Sequence, residues 1–519
     1  MSDVIRYSNR WSEVITLTDI LWAIWFVYCT LRYVLAANVS GSLYPYFFIF
    51  VCYAIARFFR LHSSILFWGI LIIGSSQSIL AICQNTGWAT SNHPLFDVTG
   101  SFDNPGQLGG FLAISIICSL CVGRQGQTRN VWFALFPLLL IQGFALFLSD
   151  SRSGWLAVLG GALFLLWPLL ATFRKSQVVK IVFFAIIAFI LLGLYLYKPQ
   201  SANGRILIWK VTAEMIADKP FWGHGIGGFN REYMQYQATY FEQHPESALQ
   251  QYADNVAYPY NELLHIWADQ GLIGLLLFLG LIASVLIMPA KKQSYKAALI
   301  AYLIYALFSY PSYVAGLLAL FPILLVAPQN SALSVQVPLI AWRGAGLVLI
   351  LCAGYYTIAS YLSMKRCQDQ IYALYFGRPS QISDARVYIT NHYKEVLLDP
   401  RTADAYAQYA FKNYEPQQAL AVLNDVKKIV PTSELYCDLG DLHLALGDSE
   451  MAQKCYQQGG NMIPRRVVPQ YKLFNLFRDR KDTLSARLIG KKILSMPVKI
   501  EGTRSLRIKA DIKHYLESN

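Results

Sequence analysis

Charge is what this 519-residue sequence has least of: Asp, Glu, Lys and Arg make up 14% of it, where soluble domains carry about 25%. With 55% hydrophobic residues and a mean hydropathy of +0.36, the deficit excludes an ordinary soluble enzyme and fits a chain that faces lipid over much of its length. A cysteine framework is missing as well. Six of the nine cysteines (Cys29, Cys52, Cys83, Cys118, Cys121, Cys352) sit in apolar stretches and three (Cys367, Cys437, Cys455) lie far along the chain. The Cys118/Cys121 pair has CxxC spacing but no polar ligands beside it, so it reads as buried packing, with no metal site or disulfide set. No small-residue cleavage site follows the first apolar run, so the start MSDVIRYSNRW reads as a retained signal anchor.

The charge that is present is uneven. A net +13 could by itself suggest nucleic acid or anionic lipid. Residues 1–363 hold 20 basic and 14 acidic side chains, while 364–519 hold 24 and 17. The chain therefore divides into a membrane part, 1–363, and a water-soluble tail, 364–519, with the boundary near Tyr361–Met364. Runs approaching the roughly 20 residues a bilayer demands lie at 16–36, 43–59, 64–83, 106–123, 131–148, 154–173, 180–197, 262–288 and 341–362. The apolar stretch 297–327 is interrupted by Ser309, Tyr310, Pro311 and Ser312 and reads as two short spans around a tight turn, giving about eleven in all. With a cytoplasmic N-terminus, 13 basic residues fall inside: Arg6, Arg10, Arg57, Arg60, Arg124, Arg129, Arg174, Lys175, Lys180, Lys291, Lys292, Lys296 and Arg343. The outer segments 37–43 and 84–105 contain none, as the positive-inside rule requires. An odd count puts the tail outside, in the periplasm of a bacterium; a single tilted helix over 297–327 would instead leave it in the cytoplasm. The basic excess is thus topological or belongs to the tail, and it implies no nucleic-acid partner.

In the tail, Pro400, Pro431, Pro464 and Pro497 recur at intervals of 31, 33 and 33 residues, close to the period of tetratricopeptide repeats. Tyr436, Leu439, Gly440, Ala452, Tyr456 and Pro464 fit one such unit, with Ala419 and Ala486 at the matching position of its neighbours. The expected fold is therefore all-α: a polytopic helical membrane protein followed by an α-solenoid whose concave surface suits docking of a protein partner.

Polar residues kept at the outer membrane face are the first functional candidates. One set is Ser149-Asp150-Ser151-Arg152-Ser153, where an outer arginine runs against the positive-inside trend and has the planar fork that grips diphosphate; an ion pair with Asp150 is the alternative. A second is the long outer segment 198–260, with Gly204-Arg205 and the turn Gly223-His224-Gly225-Ile226-Gly227-Gly228, whose glycines could bring backbone N–H groups to a phosphate or sugar. The third is Tyr258-Pro259-Tyr260-Asn261-Glu262, leading into His265 and Asp269. Asn261, His265 and Asp269 share one helical face and are expected to line a cavity, with a helix cap as the alternative for Asn261.

These stretches, in this order, carry a resemblance. Ser151-Arg152 at a span boundary, Gly204-Arg205 with Trp209, the Gly223–Phe229 turn, then Asn261-Glu262 before Gly271-Leu272-Ile273-Gly274, resemble the O-antigen ligase family, which also includes O-antigen polymerases and bacterial protein O-oligosaccharyltransferases. Phe102–Gln107 and Gly109–Leu112 resemble its earlier outer-loop segment. The likeness covers residues 65–330. It implies an inverting glycosyltransferase, independent of metal and cofactor, in the bacterial inner membrane. Such an enzyme moves a glycan from undecaprenyl diphosphate to an acceptor on the periplasmic face: lipid A core, a protein hydroxyl or a growing glycan. Arg152 and Arg205 match the family's diphosphate-binding arginines. The family's acceptor-side histidine is replaced by Tyr260, which leaves the general base open among His265, Glu262, His224 and Asp254, in that order; His93 and His244 have weaker claims. Ser151, Asn261, Tyr258 and Tyr260 are the further expected substrate contacts. The competing readings are a flippase or transporter of lipid-linked glycans, and a membrane-anchored scaffold acting through its tail.

Overall fold

The computed structural model describes residues 12–35, 43–59, 63–125, 129–168, 177–287, 294–326, 334–497 and 502–518. Strand β1 (Ser12–Thr16) precedes α1 (Leu17–Val34), α2 (Tyr44–Phe58), α3 (Ser63–Asn85), α4 (Pro105–Gln125), α5 (Arg129–Leu148), α6 (Arg152–Leu166) and α7 (Gln177–Tyr197). Then follow α8 (Pro199–Asp218), α9 (Gly228–Gln243), α10 (Glu262–Leu286), α11 (Ser294–Ala306), α12 (Ala315–Val326), strand β2 (Ser334–Pro338) and α13 (Leu339–Phe376). Every apolar run expected to span is helical over most of its described residues. Among the described residues six helices are long and apolar enough to cross a membrane, and a seventh crossing arises if the pair α7–α8, bent by 98°, is one broken span. Of the inner basic residues, Arg6, Arg10, Arg60, Arg174, Lys175, Lys291 and Lys292 lie outside the described residues.

Small residues decide the centre. Helix α4, rich in Gly, Ala, Ser and Cys, packs against α3, α5, α6 and α11, and 89% of its apolar window is enclosed. A Cβ at Gly110 would lie 2.2 Å from the Tyr305 ring, and one at Gly161 2.8 Å from Ile117, the close approach that holds helices together where lipid supplies no hydrophobic drive. At the other end, Asp19 takes hydrogen bonds from Arg57 and Tyr53 at 2.7 Å and closes a capping box with Thr16, locking α1 to α2. The antiparallel pairing of β1 with β2, Ser12↔Pro338 to Thr16↔Ser334, brings the chain before α1 and the chain before α13 to one side.

The turn expected inside 297–327 is present, with α11 and α12 joined by a 3-10 turn at Pro311–Tyr313. The expected boundary at 363/364 is not a break: α13 runs unbroken through it for 38 residues, because no helix-stopping residue separates the apolar half from the charged half.

The tail continues as α14 (Pro379–Asn391), α15 (Tyr393–Val396), α16 (Pro400–Asn413), α17 (Pro416–Lys427), α18 (Ser433–Ala445), α19 (Ser449–Met462), α20 (Val467–Asp479), α21 (Thr483–Ser495) and α22 (Thr503–Ser518). Successive helices pack as stacked hairpins. Gly440 lets Tyr456 cross at a distance where a Cβ would be 2.3 Å from the ring. Burial and the neighbouring Asp441 push the Asp438 carboxyl up to about 6. A carboxyl raised on folding costs nothing below its unfolded value and destabilises as pH rises through the window from about 4 to about 6. Asp438→Asn should therefore raise the thermal midpoint of the full-length protein at pH 7.5 and leave it unchanged near pH 4; equal effects at both pH values would refute this.

The tail docks on the long segment 198–260. Phe229, Tyr233 and Phe241 share a buried cluster with Met462 and Ile463, Gln237 Nε2 donates to the Met462 carbonyl at 2.7 Å, and Ser433 N donates to Asn255 Oδ1 at 3.2 Å. Segment and tail therefore lie on the same side of the helical bundle.

Candidate functional site

The expected regions converge beside the docked tail. At the α5–α6 corner, Asp150 holds a left-handed backbone (φ 49°) and Ser151 caps α6 by accepting from Gly154 N at 3.3 Å. Gly109 leaves room for this corner: a Cβ there would lie 2.2 Å from Ser151 Cβ. Arg152 Nη1 donates to the carbonyls of Leu194 (2.8 Å) and Lys198 (3.2 Å), strapping α6 to the end of α7. The ion pair weighed for Arg152 goes elsewhere, as Asp150 pairs with Lys198.

Arg205 stands on α8, close enough to feel the like charge of Arg152. It is half-buried, and its guanidinium lies 5.4 Å from the centre of the Tyr260 ring. Among the described residues no carboxylate pairs with it. A cation taken partly out of water without a counter-ion is costly.

Tyr260 is itself strained, at φ 52°, a region bulky residues rarely occupy outside functional sites. Burial raises its phenol, against the opposing pull of Arg205, so at neutral pH it is a hydrogen-bond donor and not a base. Tyr310 meets Tyr260 edge-on at 5.2 Å and stacks on Tyr258 at 4.2 Å with rings 7° apart; burial pushes its phenol up to about 12. Tyr313 follows, edge-on to Tyr258 at 4.7 Å. This run of tyrosines connects the arginines to His265.

Asn261 is the cap of α10, its Oδ1 accepting from Leu263 N (3.0 Å) and Leu264 N (3.1 Å), so the capping alternative is the one realised. His265 does face a cavity, of about 570 Å³, together with Glu262, Asp269, Ser312 and Tyr313. Its ring lies 3.2 Å from Glu262 Oε1, 3.4 Å from Asp269 Oδ2 and 3.0 Å from the Tyr313 hydroxyl. Ser363 of α13 and the tail residues Glu395 and Asp399 line the cavity from the other side. Neither arginine lines it.

Two candidates are placed elsewhere. His224 is buried with both ring nitrogens engaged, Nδ1 with Glu232 at 2.6 Å and Nε2 with the Met215 carbonyl at 2.8 Å, so neither is turned toward a substrate. Asp254 is exposed and faces the tail, 3.7 Å from Arg466. His244 stacks on Tyr240 of its own helix, and His93 sits in a loop bridge with Phe96.

The glycine-rich turn does not present its amides to a ligand as expected. Gly271 (φ 71°, ψ −174°) kinks α10, which frees the Ala268 and Asp269 carbonyls; His224 N and Gly225 N donate to them at 2.8 and 2.9 Å. Asp269 then accepts from Gly227 N (2.9 Å) and Phe229 N (2.8 Å), holding the start of α9. The turn supplies the hydrogen bonds that the broken helix lost.

Sequence reasoning passed over Tyr310, read only as a turn residue, Tyr313, and Arg401 of the tail, which donates to the Tyr258 hydroxyl at 2.7 Å. Polar residues inside the apolar stretch 297–327 were the available signal for the first two; nothing local marks Arg401.

Residues 137–279 match the O-antigen ligase family, a stretch containing both arginines, the glycine-rich turn and His265. Proteins provisionally named polysaccharide ligases are similar over part of their length. That of Rickettsia felis is 26% identical over 213 residues, 36% of this chain and 46% of the relative. That of Rickettsia conorii is 26% identical over 212 residues, 36% and 45%. That of Rickettsia bellii is 32% identical over 169 residues, 28% and 38%. The chain thus spans less than half the length of these relatives. With a helical membrane architecture and a pair of arginines inside the matched stretch, this multi-pass membrane protein is similar, through residues 137–279, to the O-antigen ligase family.

Proposed function

We propose that the protein transfers a glycan from undecaprenyl diphosphate to a hydroxyl acceptor on the periplasmic face of the bacterial inner membrane. The observation that carries this is Arg205, half-buried beside Arg152 and without a carboxylate partner among the described residues. In the reaction, the acceptor oxygen attacks the anomeric carbon from the face opposite the diphosphate, the sugar–phosphate bond breaks with its electron pair leaving on the phosphate oxygen, and configuration inverts. The two guanidinium groups neutralise the charge that develops on the leaving diphosphate, a task fixed charges can perform without reorganisation. Tyr260 donates a hydrogen bond at the same place. The Glu262–His265 pair, facing the cavity, takes the acceptor proton.

In this reading the eleven apolar helices α1–α7 and α10–α13 all cross the membrane, with α8 and α9 in the outer segment and α11 and α12 counted as two crossings. The β1–β2 pairing holds the cytoplasmic ends, and the tail is a periplasmic tetratricopeptide-like module open to a protein partner. Lipid A core, protein and glycan acceptors share this donor chemistry.

Purified protein incubated with undecaprenyl-diphosphate-linked oligosaccharide and a hydroxyl acceptor should release undecaprenyl diphosphate in step with acceptor glycosylation; binding without turnover would favour a transporter or scaffold. His265→Ala and Glu262→Gln should lower kcat about 100-fold while leaving affinity for undecaprenyl diphosphate unchanged. Normal turnover in both variants would remove the proton-acceptor assignment.

A further inference from the structure

The tail has been described as a docked module, yet one of its side chains enters the chemistry-bearing face. Arg401, the second residue of α16, donates through Nη2 to the Tyr258 hydroxyl at 2.7 Å. It also feels the charges of Asp399 in the tail and of Asp103 in the outer segment before α4. From Tyr258 the contacts run without a gap: stacking on Tyr310 at 4.2 Å, Tyr310 edge-on to Tyr260 at 5.2 Å, and the Tyr260 ring against the Arg205 guanidinium at 5.4 Å. The Tyr260 backbone is left-handed, so the ring under Arg205 is held by its neighbours and not by its own preferred geometry.

We propose that Arg401 is a positioning residue for the diphosphate site: by fixing Tyr258 it fixes the aromatic support of Arg205, and the site is incomplete without the tail. This rests on the donor reading given above and deepens it. Arg401 need not hold the tail in place. The Gln237–Met462 and Asn255–Ser433 bonds and the shared apolar cluster anchor the tail independently, so truncating the side chain perturbs the tyrosines with docking intact. A charge-assisted hydrogen bond is stronger and better aligned than a neutral one, and small displacements of a charge-stabilising group are costly in rate.

The test uses the full chain in detergent with undecaprenyl diphosphate, carrying no glycan, as the binding probe, alongside the transfer assay. Arg401→Ala should weaken binding about fivefold and lower kcat/KM by at least as much, with the thermal midpoint unchanged. Tyr258→Phe, which keeps the stack and loses the acceptor oxygen, should match it, and the double variant should be no worse than either single. Arg401→Lys should recover affinity to within about twofold. Parental affinity in Arg401→Ala, additive losses in the double variant, or no rescue by lysine would each overturn the inference. Arg205→Ala separates the two levels: if it loses binding while Arg401→Ala does not, the donor site stands and the tail's part in it falls, whereas if Arg205→Ala binds normally the donor reading itself fails.

Discussion

Arg205→Ala should lower kcat/KM for the proposed glycan transfer about 100- to 1000-fold, the range seen when one fixed stabiliser of developing negative charge is removed. The size of the effect follows from the surroundings. The guanidinium is half-buried, lies against the Tyr260 ring at 5.4 Å and has no carboxylate partner among the described residues, so its charge is not spent on the fold. Removing it relieves a desolvated cation, and the protein should be as stable as the parent or more so. Arg205→Lys keeps the charge but loses the planar fork, and should retain a small part of the activity. Arg152→Ala behaves differently: that side chain also straps α6 to the Leu194 and Lys198 carbonyls, so transfer and thermal stability should fall together. Activity measured with the thermal midpoint of each variant checks both; a fully active Arg205→Ala would remove the donor site from this face.

Gly271→Ala should prevent the protein from folding. With φ at 71° and ψ at −174°, a region essentially reserved for glycine, an alanine there already costs about 1–3 kcal/mol. Its Cβ would also lie 2.2 Å from the Phe221 oxygen and 2.4 Å from the Phe221 carbonyl carbon, rigid backbone that no rotamer change can clear. Moving Phe221 away breaks what the kink was built for: Leu272 N to Pro220 O at 2.8 Å, and the Gly225 and His224 amides on α10. The loss is expected to be on the order of 4 kcal/mol or more, seen as failure to accumulate in the membrane fraction. Gly204→Ala is the control. It is adjacent to Arg205 and interior to α8, nothing lies within 4 Å of its Cβ position, and alanine favours the helix, so it should express and turn over normally. Normal accumulation of Gly271→Ala would contradict the kink as described.

Much of the site was legible because its signals are local. Apolar runs of membrane length became helices, since a backbone in lipid must satisfy its own hydrogen bonds within the segment. Ser151 and Asn261 precede helices and cap them. Arg152 and Arg205 stood out because cations are scarce on the outer side of such a chain. The four-residue spacing of Asn261, His265 and Asp269 put them on one helical face, but periodicity could not say that Asn261 would turn back on its own helix, or that Asp269, which lines the cavity with His265, would also hold α9.

The sequence by itself determined a helical membrane protein with a charged tail, and it singled out two arginines as candidates. Only the tertiary structure decided what each polar group is for. His224 lost its candidacy to Glu232 and Met215, the glycines of the 223–228 turn went to repair a kink, Tyr310 and Tyr313 entered from a turn near residue 311, and Arg401 arrived from 143 residues beyond Tyr258. The physical reason is the same in each case. Helix formation and capping are settled within a few residues along the chain, whereas a hydrogen bond or a ring contact between distant segments is settled by which helices pack together, and no local pattern records that choice.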